Sequence, residues 1–315
     1  MVNVRRALVR LGLAAISAAA LALPTAASAE VASRTVDQGS GEVRSYWTAE
    51  RLENARPASE LLAGIPAPTG VLDGLIGAPE PSPRASAQAI PDASVAPYRT
   101  HGKVVFTLDG LDYVCSGTVV WAKTRRLVVT AGHCVYGFGQ FATNWMFIPG
   151  KEGTAEPYGR WTARRIATTT QWRASEDLRY DVGMVTMRAR NRKRLQNVVG
   201  GRGMAFDRGR SLTFDAFGYP AVGFSGTQLY RCHSAAEGVD SGPSPAPTRI
   251  DCSMTGGSSG GGWVLGNGRV NSVVSYGYEA GCPIICPNPE EGKLFGPYFG
   301  DVIHDLYRSE RRRRR

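Results

Sequence analysis

From residue 98 onward the apolar positions fall in short runs rich in Val, Thr and Tyr, each closed by Gly, Asp or basic residues. Runs of this length and composition predict strands joined by turns. The predicted strands cover 103–107, 113–121, 127–130, 164–169, 183–187, 212–219, 262–265 and 269–276. So many short strands within roughly 200 residues suit a pair of small barrels, and the expected fold class is all-β. Two stretches follow the helical period instead. Val302, Ile303, Leu306 and Tyr307 make one apolar face over 298–307, which predicts a C-terminal helix packed on the body. Residues 45–56 predict one short helix, with Thr48 as its N-cap, Glu50 near its positive end and Pro57 as a stop. Tyr46 and Trp47 beside it could dock on the body or belong to a flexible leader. No repeat of fixed period is present.

The region before residue 98 has a different texture. Arg5, Arg6 and Arg10 precede an apolar run from Leu11 to Leu23, and Ala27-Ser28-Ala29 offers small residues for cleavage. This is the pattern of a secretory signal peptide over 1–29. As a membrane anchor the run is too short, since a spanning helix needs roughly 20 apolar residues, and Pro24 closes it. No later segment is long and apolar enough to span a bilayer, so no membrane association is expected once the signal is removed. Residues 30–97 hold eight prolines and no cysteine, the composition of a linker or pro-segment. The expected organisation is a signal peptide (1–29), a pro-segment (30–97), a folded domain (98–308) and a disordered arginine-rich tail (309–315).

Composition and charge refine this picture without changing it. The chain has 315 residues, 43% of them hydrophobic, enough for a proper core. Its net charge of +10 points to nucleic acid only until it is located. Three arginines leave with the signal and Arg311 to Arg315 close the chain, so the body is nearly neutral and no nucleic-acid partner is expected. Export makes the six cysteines candidates for disulfides. Zinc is the minor reading, because Cys282 and Cys286 are the only close pair and nothing with ligand spacing accompanies them. No metal or cofactor is expected.

Three residues offer nucleophilic chemistry in a fixed order. A serine hydroxyl needs a base within hydrogen-bond reach and a group that fixes the base's tautomer. His133 stands in Thr130-Ala-Gly-His-Cys134, directly after an apolar strand that can present an imidazole at a cleft. Asp181 stands at the mouth of another apolar strand, while its rival Asp177 lies in a more polar stretch. Ser259 stands in Thr255-Gly-Gly-Ser-Ser-Gly-Gly-Gly262, whose glycines allow a tight turn that aims N–H groups of Gly257 and Ser259 at an oxyanion. Cys252 before this run and Trp263 after it argue against a plain flexible linker.

Together these motifs resemble the chymotrypsin-like serine peptidase family across 98–307. The order His, Asp, Ser, the intervals of 48 and 78 residues and the Cys115-Ser-Gly-Thr118 segment all fit. The resemblance implies two antiparallel six-stranded barrels with a cleft between them, a triad of His133, Asp181 and Ser259, and a disulfide from Cys115 to Cys134. It also implies that Ser275 supports the aspartate and that the backbone near Gly277 pairs with an extended peptide substrate. For the other cysteines, Cys232 with Cys252 and Cys282 with Cys286 is the economical pairing, and Cys252 with Cys282 the alternative. Ser258 replaces the family's usual Asp before the nucleophile, so the ammonium latch of zymogen activation is expected to be absent, as in the bacterial glutamyl-endopeptidase-like branch. Ser253 at the pocket base and Val274 on the substrate-binding strand support neither a basic nor an acidic preference. The expected function is a secreted, monomeric serine endopeptidase acting on proteins or peptides through an acyl-enzyme. An esterase and a catalytically dead or latent binding module on the same fold are the alternatives, although an α/β-hydrolase would order its residues Ser, Asp, His.

Overall fold

A computed structural model describes residues 31–62, 85–240, 242–277 and 292–313. The signal segment, Cys282 and Cys286 lie outside these residues. Six strands close into an antiparallel barrel: His101–Leu108, Leu111–Val120, Leu127–Thr130, Thr143–Pro149, Trp161–Thr168 and Gly183–Met187. Closure comes from Trp161–Thr168, which pairs with Gly183–Met187 along most of its length and with Thr143–Pro149 at its start. A second sheet runs through Arg269–Val273, Gly262–Val264, Thr213–Gly218, Tyr230–Val239, Thr248–Asp251 and Lys293–Gly296. The chain from Arg269 to Gly277 serves both its edges. The first half pairs with Gly262–Val264, and the short strand Tyr276–Gly277 pairs with Lys293–Gly296. The sheet thereby wraps on itself.

All eight predicted strands exist, with 269–276 broken after Val273. The breaking residues are Val274 and Ser275, whose N–H groups donate to the Gly261 and Phe295 carbonyls rather than continuing the first pairing. The strands Thr143–Pro149, Tyr230–Val239, Thr248–Asp251 and Lys293–Gly296 were not foreseen. The C-terminal helix spans Asp301–Glu310 and buries Ile303, Leu306 and Tyr307 against the core, as the spacing required. It continues past the expected start of a disordered tail at 309. Glu310 is fully buried, and the Arg311 carbonyl accepts the Lys123 N–H at 2.9 Å.

The described residues before 98 fold onto the body. Ala32–Thr35 adds a strand to Trp161–Thr168, and two short helices follow, Ser40–Tyr46 and Ala49–Asn54. The second is the expected one, capped by Thr48, whose Oγ1 accepts the Arg51 N–H at 3.2 Å. The first is unforeseen, and Glu42 closes its start by accepting the Gly39 N–H at 3.2 Å. Trp47 is 1% exposed between the helices, packed with Val105, Val114, Met146 and Ile148, and its indole N–H reaches the Asn144 carbonyl at 2.6 Å. Residues 85–93 lie on the second sheet, where Gln88–Ala89 pairs with Tyr230–Val239 and Ile90 and Ala93 are buried. The expected domain start at residue 98 therefore falls inside ordered structure, because these apolar positions complete the second core.

Trp47→Ala tests what holds the leader. Losing a buried indole costs about 3–5 kcal/mol, and here that cost falls on a segment attached by few other buried side chains. Limited proteolysis is expected to cut between residues 31 and 62 at least tenfold faster in the variant, about the effect of 1.4 kcal/mol, while the main thermal transition persists. Equal cutting rates would refute Trp47 as the anchor.

Candidate active site

The histidine turn follows directly from strand Leu127–Thr130. The strand ends at Thr130, and Ala131 to Cys134 form a tight turn in which the Cys134 and Val135 N–H groups donate to the Ala131 and Gly132 carbonyls at 3.3 and 2.9 Å. Gly132 is required by close approach: a Cβ there would lie 2.8 Å from both the Asp181 carboxylate and the Trp172 ring. A disulfide from Cys134 to Cys115 staples the turn to strand Leu111–Val120. Both sulfurs lie within 4.8 Å of the imidazole and are spent on that bond, so neither offers a thiolate. The second disulfide joins Cys232 to Cys252, which excludes the alternative partner for Cys252.

Asp181 follows a 3-10 turn, Leu178–Tyr180, and precedes strand Gly183–Met187, whose residue Gly183 sits opposite Thr130. Two adjacent strand ends thus bring Asp181 and His133 together. Three donors converge on the fully buried carboxylate. Oδ1 accepts the His133 backbone N–H at 2.7 Å, and Oδ2 accepts from His133 Nδ1 at 2.8 Å and from Ser275 Oγ at 2.5 Å. A carboxylate facing Nδ1 fixes the proton there and leaves Nε2 as the basic nitrogen. Nε2 is buried and has no hydrogen-bond partner among the described residues. Asp177, the rival, instead caps the 3-10 turn and pairs with Arg179 at 2.6 Å.

Ser259 reaches the site through the glycine-rich turn after Thr255. Gly257 has φ +99°, a conformation that L side chains rarely adopt. The Gly256 carbonyl accepts the Ala221 N–H at 2.7 Å, and because the peptide is planar and trans, the Gly257 N–H points the opposite way. Neither the Gly257 nor the Ser259 N–H is committed to a protein acceptor among the described residues. Ser116, on the disulfide-bearing strand, holds this turn: its N–H donates to the Ser259 carbonyl at 2.7 Å, and its Oγ lies 2.9 Å from the Gly257 carbonyl and 2.8 Å from the Tyr219 N. Behind the turn, burial pushes the Tyr219 phenol well above its ordinary range.

Sequence reasoning missed Ser116 and Trp172. Trp172 lies in the helix Thr170–Ser175, its ring centroid 6.3 Å from that of His133, and its indole N–H donates to the Tyr136 carbonyl at 3.0 Å. The available signal was Thr169, whose Oγ1 caps that helix by accepting the Trp172 N–H at 3.0 Å. Ser116 carried no signal beyond its place in the Cys-Ser-Gly-Thr segment.

Of the expected substrate-binding residues, Ser275 lies under the aspartate, and Gly277 is exposed in the short strand Tyr276–Gly277 opposite Leu294. Ser253 is occupied by the chain's own earlier segment. Its N–H donates to the Ala85 carbonyl at 3.3 Å and its Oγ accepts the Ala87 N–H at 2.8 Å, while Asp251 accepts the Ala85 N–H at 2.6 Å. Residues 56–62 also lie against the site. Arg56–Pro57 pairs with Tyr113 and Val114, Leu61 borders the same small cavity as His133, and a Cβ on Gly256 would meet Ser59 Oγ at 2.5 Å. His133 is 1% and Ser259 3% exposed.

This arrangement, with its barrel, second sheet and C-terminal helix, is that of the chymotrypsin fold, and two solved structures match along nearly their whole length. The protease Anisep from Arthrobacter nicotinovorans is 39% identical, with a TM-score of 0.64 over 71% of this chain and 99% of that one. The thermostable serine protease AL20 from an extremophilic microorganism is 35% identical, with a TM-score of 0.62 over 68% of this chain and 97% of that one. The chain belongs to the chymotrypsin-like serine protease family. A curated relative, the glutamyl endopeptidase of Bacillus licheniformis, is 33% identical over 118 residues, a stretch covering 36% of this chain and 35% of that protein. No family model matches the sequence.

Ser275→Ala tests the support under the aspartate. Removing one charge-assisted hydrogen bond from the buried carboxylate costs about 1.5–3 kcal/mol. Peptidase kcat/KM is expected to fall at least tenfold, through kcat, with Ser275→Thr restoring most of it. Unchanged kcat in Ser275→Ala would show that the contact is dispensable.

Proposed function

We propose that this chain is a secreted serine endopeptidase that hydrolyses peptide bonds with His133, Asp181 and Ser259. The observation that carries this reading is the hydrogen-bonded row Ser275, Asp181, His133, which ends on an unpartnered imidazole nitrogen beside the glycine turn bearing Ser259. Ser259 Oγ attacks the substrate carbonyl carbon as its proton passes to His133 Nε2. The oxyanion that forms receives the Gly257 and Ser259 N–H groups, each worth about 2.7–4 kcal/mol of transition-state stabilisation in such sites. His133 then gives the proton to the leaving amine, and water repeats the sequence on the acyl-enzyme. Asp181 holds the imidazole's tautomer and balances the imidazolium. An esterase using the same acyl-enzyme remains the chemical neighbour of this mechanism.

The described form fits a latent precursor. Leu61 borders the cavity beside His133, Pro57 and Ser59 press on Gly256 of the glycine turn, and residues 85–87 hydrogen-bond Ser253 and Asp251. With His133 and Ser259 nearly unexposed, these contacts support a cleft closed to an extended substrate. We therefore read 30–97 as a pro-segment whose removal opens the cleft. The contacts of residues 85–93 with the second sheet favour cleavage ahead of residue 85, with the remainder retained. With Ser253 and Val274 in the pocket, the expected substrate residue is neutral or apolar, unlike that named by the glutamyl endopeptidase. Export follows from the signal-like segment 1–29, after whose removal the enzyme is expected to act outside the cell as a monomer.

A fluorophosphonate probe tests this reading. Chain cleaved between residues 62 and 85, with the released segment removed, is expected to label at Ser259 and to digest a peptide library. Uncleaved chain should label at least tenfold more slowly, and Ser259→Ala not at all. Equal labelling of both forms would overturn latency. No labelling of the cleaved form would favour a binding module over an enzyme, and cleavage confined to Arg, Lys or Glu sites would overturn the pocket assignment.

A further inference from the structure

The end of the first barrel remote from His133 holds a cavity of about 460 Å³ with cationic walls. Two strands connect the two places. Leu127–Thr130 leaves the turn carrying Lys123 and Arg126 and ends beside the histidine turn. Gly183–Met187 starts after Asp181 and carries Thr186, opposite Leu127, to the cavity. Arg164 projects from Trp161–Thr168, and Arg194 precedes the short helix Leu195–Val199. Lys123, Arg126, Arg164 and Arg194 have no carboxylate partner among the described residues. Two more lining arginines, Arg165 and Arg313, share the single buried carboxylate of Glu310 at 3.3 and 3.7 Å. Burial, then Arg194 and Arg164, hold the Arg126 guanidinium below its ordinary value, so these cations repel one another where they stand.

A second, independent observation points to a ligand. Thr124 and Thr186 line the same cavity at 9% and 7% exposure, and neither hydroxyl has a hydrogen-bond partner. Two buried hydroxyls without partners beside four unpaired cations call for an acceptor that is strongly anionic. A single carboxylate neither fills the volume nor neutralises the charge. Tetrahedral oxyanions linked in a chain do both, and their oxygens match guanidinium geometry.

We propose that this cavity is a binding site for a short chain of phosphate or sulfate groups, held by Arg126, Arg164, Arg194 and Lys123 and completed by donation from the Thr124 and Thr186 hydroxyls. The site is separate from the catalytic cleft. Because Thr35 of the leader also lines it, an occupant touches both leader and barrel.

Titration calorimetry of the full-length Ser259→Ala chain tests the proposal, with tripolyphosphate and sucrose octasulfate as separate probes and citrate as the carboxylate control, all at equal ionic strength. One saturable site is expected for at least one of the first two probes. Binding of tripolyphosphate alone assigns phosphate, of the octasulfate alone sulfate, and of both the shared oxyanion class. Adding Arg126→Gln with Arg164→Gln is expected to weaken binding at least tenfold, and Thr186→Val severalfold, as loss of charge-assisted hydrogen bonds requires. Arg194→Gln, an exposed change, gives the same test should the double variant not fold. No saturable binding, equal binding of citrate, or undiminished binding in the arginine variants would overturn the proposal.

Discussion

The arrangement of this active site depends on burying one carboxylate without leaving it unsatisfied. Asp181 has no solvent exposure, and an ion in such surroundings is very costly unless donors replace water. The protein supplies three from two residues: the His133 backbone, the His133 ring and the Ser275 hydroxyl. Two of those donors belong to the first barrel and one to the break between Arg269–Val273 and Tyr276–Gly277 in the second sheet. The carboxylate therefore ties the two bodies together at the place where the chemistry needs them aligned. Gly132 follows from the same constraint, since any side chain there would press on the carboxylate.

Ser259 is placed by a second set of contacts that meets the first at one strand. Leu111–Val120 carries Cys115, bonded to the histidine turn, and next to it Ser116, bonded to the nucleophile turn on both its backbone and side chain. Neighbouring strand residues point to opposite faces, so one can serve each side of the interface. This makes the Cys-Ser-Gly-Thr segment more than a disulfide partner. It sets the spacing between His133 and Ser259.

What was legible in the sequence follows from these contacts. The positions of His133, Asp181 and Ser259 were legible as candidates because His133 and Asp181 border apolar runs and Ser259 stands in a glycine-rich turn, each a local signal that needs no partner in sequence. The cores of the predicted strands were legible for the same reason, as their residues are buried on both faces. Tyr230–Val239 was missed because its outer half, Ala-Ala-Glu-Gly-Val, is mostly exposed and shows no apolar alternation, and Thr143–Pro149 because Asn144 and Pro149 read as turn residues that hide its length. The leader's proline-rich texture suggested a linker or pro-segment and left docking of Trp47 open, and Val43, Trp47 and Ala58 are buried against the barrel. A few apolar residues can anchor a segment when a preformed groove receives them, and composition averages that signal away.

The leader also changes how the two ends of the first barrel relate. Its strand Ala32–Thr35 lies on Trp161–Thr168 beside the cationic cavity, and its later residues 56–62 lie against Gly256 of the glycine turn and border the small cavity lined by His133. Between them, Trp47 fixes the crossing by a buried indole and a hydrogen bond to Asn144. Whatever strengthens or weakens the first contact acts on a segment whose far end lies against the candidate site, and the coupling needs no change in the barrel itself. It requires only that docking of the leader be cooperative along the segment that Ala32, Val36, Val43, Trp47 and Ala58 pin to the barrel as separate buried anchors. A polyanion held jointly by Thr35 and the barrel arginines would, by mass action, favour the covered form over the open one.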